Sequence, residues 1–348
     1  MQDTNERHGS GVAVWFFRTL LLLAAAVVMT VALVPGAQAA ESQNSAPRSV
    51  IPLGRAVGIK LFAQGVLVVG LSDITTDQGL ASPARACGLQ EGDVITHIND
   101  AQVSSIEEVQ TILQDLEGQE MELTVLRDEE SQEVTTRAAQ CSTDGAYKLG
   151  AWIRDSMAGI GTLTFVDPET GLFGTLGHGI NDVDTAVLMK LQSGAITPAS
   201  VAGVVKGVNG RPGELRGAFS SSQDLGTLYA NTESGVFGHL QDPGTFTGTP
   251  VPVATAANVA GTEVEEYTVE ILKVYSNTSD TRDLMLRVTD PRLLEKTGGI
   301  VQGMSGSPIL QDGKLVGAVT HVLIDHADRG YGILAQNMLD QAAQAQNT

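Results

Sequence analysis

Two short glycine-flanked segments carry the residues best suited to chemistry. The first is Gly177-His178-Gly179, at the end of the apolar run LFGTL. Imidazole is the side chain that exchanges a proton near neutral pH, and flanking glycines leave it unshielded. The second is Gly303-Met304-Ser305-Gly306-Ser307-Pro308. A serine at the tip of a glycine turn exposes its hydroxyl and lets backbone N–H groups point into the same space. A nucleophile and an oxyanion-binding site then come together. The predicted donors are the N–H groups of Gly303 and Ser305. Ser307 is the neighbouring competitor, but Pro308 directs the chain out of the turn. A third group, Asp290 in Val288-Thr289-Asp290-Pro291, could supply the carboxylate that fixes an imidazole tautomer. The same Asp-Pro step, followed by RLLEKTGG, also reads as a helix cap, first-turn proline and glycine stop. Asp182, Asp184 and Asp224 are the other candidate acids.

The elements that must position these groups are mostly strands. Strand signals cover 149–153, 161–166, 172–176, 201–205, 225–230, 264–274, 284–288 and 315–322, separated by Gly- and Pro-rich turns. Such a series predicts a barrel or sandwich over residues 145–348. A helix is expected only near the end, at 337–346. His321 follows a strand close in sequence to the serine turn and could line the pocket, but is read as structural, as is His97; His239 and His326 are read as surface or loop residues.

Upstream, residues 49–142 read as a separate module. GVLVVG is a short strand between glycines, and SPARACGL is a short helix stopped by glycine. GDVITHIN is a turn feeding a strand, and SIEEVQTILQDL opens on a capping box of Ser105 and Glu108. The run SPARACGLQEGDVITHIND resembles bacterial PDZ domains of exported proteases. The resemblance implies a loop of backbone donors that holds a peptide's terminal carboxylate, and it places that loop at Val57, Gly58 and Ile59.

Residues 1–40 read as an export signal or membrane anchor. Arg18 precedes the apolar run from Thr19 to Val34, and Ala37-Gln38-Ala39 follows as a cleavage site. Residues 41–48 are a polar linker.

Composition narrows the function further. The chain of 348 residues is 42% hydrophobic and 18% charged, which is globular. A net charge of −19 disfavours nucleic acid as a partner. Cys87 and Cys141 could form at most one bond and make no metal-ligand spacing, and no cofactor fingerprint is present.

The order His178, Asp290, Ser305 is that of chymotrypsin-like peptidases, and GMSGSP resembles their GDSGGP turn. Asp290 and Ser305 are 15 positions apart, closer than is usual there. Three longer runs are more specific. They are KLGAWIRDSMAGIGTLTFVDPETGLFGTLGHGINDVDT, GRPGELRG and VTDPRLLEKTGGIVQGMSGSPILQDGKLVGAVTHVLIDHADRGYGI. They resemble the stage IV sporulation protein B family of serine peptidases. The resemblance implies a mainly β chain, with a PDZ-like α+β domain followed by a chymotrypsin-like β-barrel serine peptidase domain. It assigns the catalytic roles to His178, Asp290 and Ser305. It also implies export into the forespore's intermembrane space, cleavage of a membrane-bound regulator that leads to sigma-factor activation, and self-cleavage. Two other functions are weighed beside it: a non-catalytic PDZ-bearing checkpoint protein and a general exported quality-control protease.

Overall fold

The computed structural model describes residues 49–220, 223–253, 265, 267–275 and 281–347. The export segment and linker predicted over 1–48 lie outside the described residues.

The chain enters through one long strand, β1 (Ser49–Leu71), which serves two domains. Its register with its partner slips between Phe62 and Leu67, and Gly65 there takes φ +94°, a value favourable only to glycine. Past that bend the chain builds the PDZ module. A short helix α1 (Pro83–Ala86) leads to β2 (Val94–Ile98), then to α2 (Ile106–Leu116), β3 (Glu120–Arg127) and β4 (Glu130–Arg137). The predicted capping box is present: Glu108 N donates to the Ser105 hydroxyl while the Glu108 carboxylate accepts from the Ser105 N–H. Val109 and Leu113 of α2 pack on Val66, Ile95, Ile98 and Leu123 as one core. Cys87 and Cys141 both belong to this module and are free thiols.

The chain returns through β5 (Ala151–Val166), which pairs with β1 along almost its whole length. Then follow β6 (Leu172–Thr175), β7 (Leu191–Val205), β8 (Glu214–Phe219), β9 (Gly226–Thr232) and β10 (Gly235–Leu240). The pairings run β1–β5–β6–β10–β9–β7 and then back from β7 to β1, so six strands close into a barrel. Closure removes the open sheet edges. Val57, Ile59, Leu163, Phe173, Ile196 and Val236 share its core. A second sheet follows in the order β11 (Val269–Val274), β12 (Leu284–Val288), β15 (His326–Leu334), β14 (Lys314–Leu323), β13 (Pro308–Gln311). A helix α3 (Pro291–Thr297) leaves β12, and α4 (Ala335–Ala345) closes the chain. Met338, Leu339 and Ala342 of α4 pack on Phe237 of the barrel and on Ala318 and Ile333 of the second sheet, tying the two layers together.

Two expectations are corrected here. The PDZ module does not begin at residue 49, because residues 49–63 form a barrel strand and the module is inserted between β1 and β5. Val57, Gly58 and Ile59 are therefore not a carboxylate-binding loop. They are buried in β1 with a strand on either side, Gly161–Gly159 of β5 and Pro198–Ile196 of β7, so both edges are occupied. A Cβ built on Gly58 would lie 2.4 Å from Phe219 Cβ and 2.5 Å from Thr197 Oγ1. Gly58→Leu is expected to destabilise the barrel by about 1–3 kcal/mol or more through overpacking. A drop in the urea midpoint with unchanged peptide affinity of the surviving folded fraction checks this. Lost affinity at unchanged stability would restore the loop reading.

Candidate active site

His178 sits just past β6, on a strained approach. Leu176 takes φ +69°, a left-handed conformation unusual for a bulky residue, and Gly177 follows at φ +71°. The reversal carries His178 out of the barrel wall. Ser305 lies in the turn before β13, on the second sheet. The two layers meet through close backbone approach at Gly306, where a Cβ would stand 2.3 Å from the Thr162 carbonyl oxygen and 2.6 Å from Leu176 N. Thr162 of β5 also binds both turns. Its hydroxyl donates to the Gly303 carbonyl (2.8 Å), and its carbonyl accepts from Leu176 N (3.3 Å) and the Thr175 hydroxyl (2.7 Å).

His178 and Ser305 line one cavity of about 330 Å³, together with Gly303. The Ser305 hydroxyl donates to the Thr320 carbonyl at 2.7 Å, and His178 Nδ1 lies 2.8 Å from the Gly179 carbonyl. A bond of that kind protonates Nδ1 and leaves Nε2 as the base. Within the serine turn, the N–H groups of Met304, Gly306 and Ser307 donate to the carbonyls of Val301, Val319 and Met304. Those of Gly303 and Ser305 find no backbone acceptor among the described residues. N–H groups left without a backbone acceptor are the kind of donor from which an oxyanion can accept.

Asp290 is not brought to His178 in this arrangement. It caps α3, accepting from Arg292 N (2.9 Å), and its other oxygen accepts from Thr268 N (3.3 Å) and Arg292 (2.8 Å). The Arg292 guanidinium holds its carboxyl down to about 2. The other candidate acids are engaged too. Asp182 is fully buried and pairs with Arg154 while receiving Asp184 N and Thr185 N; Asp184 also pairs with Arg154 (2.8 Å), and Asp224 pairs with Lys60 (3.0 Å).

A second histidine joins the site. The His321 ring lies 5.2 Å from that of His178, centroid to centroid, tilted by 37°. The sequence signal was its place directly after Thr320 on the strand that follows the serine turn, and it was read as structural.

Burial of the His178 ring lowers its pKa, opposed by the Gly179 carbonyl. A base with a depressed pKa stays neutral to lower pH. The acidic limb of a kcat/KM profile on a peptide substrate is therefore expected to have its midpoint below the ordinary imidazole value of about 6.5. The kcat/KM profile reports the free enzyme, so a midpoint above that value would mean that an ionised carboxylate already faces the ring before substrate binds.

The PDZ module offers a separate groove of about 760 Å³. Ile106, Val109 and Leu113 of α2 form one wall, and Leu149–Ile153, leading into β5, forms the other. Leu71↔Ala151 and Gly70↔Trp152 pair one edge of this segment with β1, and α2 lies along the groove opposite.

Two glycine turns, one bearing His178 and the other Ser305, line one cavity between two β layers, and a PDZ module is set into one of those layers. Residues 145–339 match the SpoIVB peptidase S55 family and residues 75–127 match the PDZ domain family. The chain belongs to the SpoIVB peptidase S55 family, and its serine type follows from that membership. It is also similar to two zinc metalloproteases named RasP. That of Oceanobacillus iheyensis is 28% identical over 113 residues, and that of Shouchella clausii 32% identical over 129 residues. The matches span 32% and 35% of this chain and only 25% and 30% of those proteins' lengths. A crystal structure of the Rv3671c protease in an inactive form is 15% identical, with a TM-score of 0.29, covering 53% of this chain and 84% of that one.

Proposed function

We propose that the protein is an exported serine endopeptidase of sporulation signalling. It cleaves the extracytoplasmic part of a membrane-bound regulator, and its own chain, in the intermembrane space of the forespore. The observation that carries the catalytic part is the joint lining of one cavity by His178, Ser305 and the unengaged N–H donors of the serine turn. The apolar run from Thr19 to Val34 and the Ala37-Gln38-Ala39 step support export. Among the described residues no helix is long and apolar enough to cross a membrane.

Ser305 Oγ attacks the peptide carbonyl and passes its proton to His178 Nε2. The oxyanion that forms accepts from the Gly303 and Ser305 N–H groups. The C–N bond then breaks as His178 returns the proton to the leaving amine, and water, activated by the same imidazole, hydrolyses the acyl-serine. The arrangement described above is a resting one. Before attack, the Ser305 hydroxyl must turn from Thr320 towards His178, and Asp290 must leave Arg292 to replace the Gly179 carbonyl at Nδ1. The PDZ groove holds an extended segment of the substrate or of another chain by strand addition. The test is mass spectrometry of full-chain protein incubated alone and with a peptide pool. New termini are expected in the wild type and not in Ser305→Ala; equal cleavage by both rejects the assignment.

A further inference from the structure

The cavity beside Ser305 and His178 has a composition that bears on the substrate. Its floor and walls are Ile59 of β1, Met157 and Ile160 of β5, and Leu176 and Ile180 on either side of His178. Asn181 and Gln302 are polar, and among the described residues no Asp, Glu, Lys or Arg side chain lines it. A charged substrate side chain entering here would lose water and meet no counter-charge, which is costly. An apolar one would exchange water for aliphatic contacts. At about 330 Å³ the space is at the small end of ligand pockets, enough for one or two side chains.

We infer that this cavity selects the substrate by seating a bulky apolar side chain that flanks the scissile bond, and that Gly159 sets its depth. The inference rests on the reading of Ser305 and His178 as nucleophile and base, because only then does the cavity adjoin the bond that breaks. Gly159 lies on β5 opposite Ile59 and lines the cavity. A Cβ built there meets no atom within 4 Å, and its backbone is outside the left-handed region. A side chain at 159 therefore enters open space rather than the core. Met157, one pleat further along the same strand, also lines the cavity and packs partly on the cluster of Leu61 and Met189. Its removal deepens the space.

The experiment is cleavage of a proteome-derived peptide library by the full-chain wild type, Gly159→Leu, Met157→Ala and Ser305→Ala, with each new terminus sequenced by mass spectrometry. In the wild type, Leu, Ile, Met, Val or Phe is expected at one flanking position roughly tenfold or more above charged residues. Gly159→Leu should move that preference to Ala, Gly and Ser and lower kcat/KM on leucine-containing peptides by roughly 10–100-fold. Met157→Ala should move it towards Phe. Thermal midpoints verify that each variant is folded, and the wild-type and Met157→Ala profiles decide the matter should Gly159→Leu not fold. Charged residues accepted as readily as apolar ones at both flanking positions would overturn the inference. So would variant profiles that superimpose on the wild type. Cleavage that survives in Ser305→Ala would instead sink the underlying assignment of the nucleophile.

Discussion

Ser305→Ala is expected to lower kcat for peptide hydrolysis by roughly 10⁶-fold, and His178→Ala by a similar factor. The two losses should not multiply. In the proposed mechanism Ser305 and His178 act as one unit, since a hydroxyl without a proton acceptor and a base without a nucleophile are equally idle. The double variant is expected to be about as slow as either single one, with a residue of roughly 10³–10⁴ over water left by the oxyanion donors and by binding. Neither substitution should unfold the protein. The Ser305 hydroxyl makes a single hydrogen bond to Thr320, and His178 is only partly buried. Steady-state and single-turnover kinetics on one fluorogenic peptide, with urea midpoints for each variant, check both halves. Losses that multiply would mean that the two residues serve different steps or different sites.

Asp290→Asn is the second large effect. In the resting arrangement Asp290 caps α3 and is held by Arg292. Asparagine caps helices about as well as aspartate, so α3 should survive the change. If the carboxylate takes over His178 Nδ1 in the working enzyme, the amide cannot stabilise the imidazolium and can hold the wrong tautomer. Turnover should then fall by roughly 10³–10⁴ with little change in KM. A loss under tenfold would show that the Gly179 carbonyl alone orients the ring (2.8 Å from Nδ1) and that Asp290 is a helix cap. The pH profile of kcat, which reports the enzyme–substrate complex, gives an independent reading. A carboxylate facing the ring raises the pKa of His178 and burial alone lowers it, so the sign of the shift reports which neighbour is present at work.

The two glycine turns were legible in the sequence because they depend on local chain properties. Glycines beside His178 and Ser305 mark turns that expose a side chain, and the structure puts both on one cavity. The capping box of α2 and the helix from Asp290 to Gly298 were legible for the same reason: a cap and its stop lie within one or two turns. The C-terminal helix, expected at 337–346, spans Ala335–Ala345. What was not legible depends on partners far away in the chain. Val57-Gly58-Ile59 has the look of a loop before a strand. Its pairing with Pro198–Ile196, about 140 residues on, makes it the middle of a barrel strand instead. Nothing local encodes that choice. Strands expected at 149–153 and 161–166 are one strand, β5, because β1 pairs across the Ala158-Gly159 step that reads as a break. His321 was read as structural because its neighbour, His178, lies 143 residues earlier and on the other layer.

The most direct test of the account is chemical labelling of the nucleophile. Full-chain wild type and His178→Ala would be treated with a fluorophosphonate probe, digested, and the adduct located by mass spectrometry. The account predicts one adduct, on Ser305, forming at least about 100-fold more slowly when His178 is replaced. An adduct on a different residue, or labelling of Ser305 at the same rate in both proteins, would contradict it.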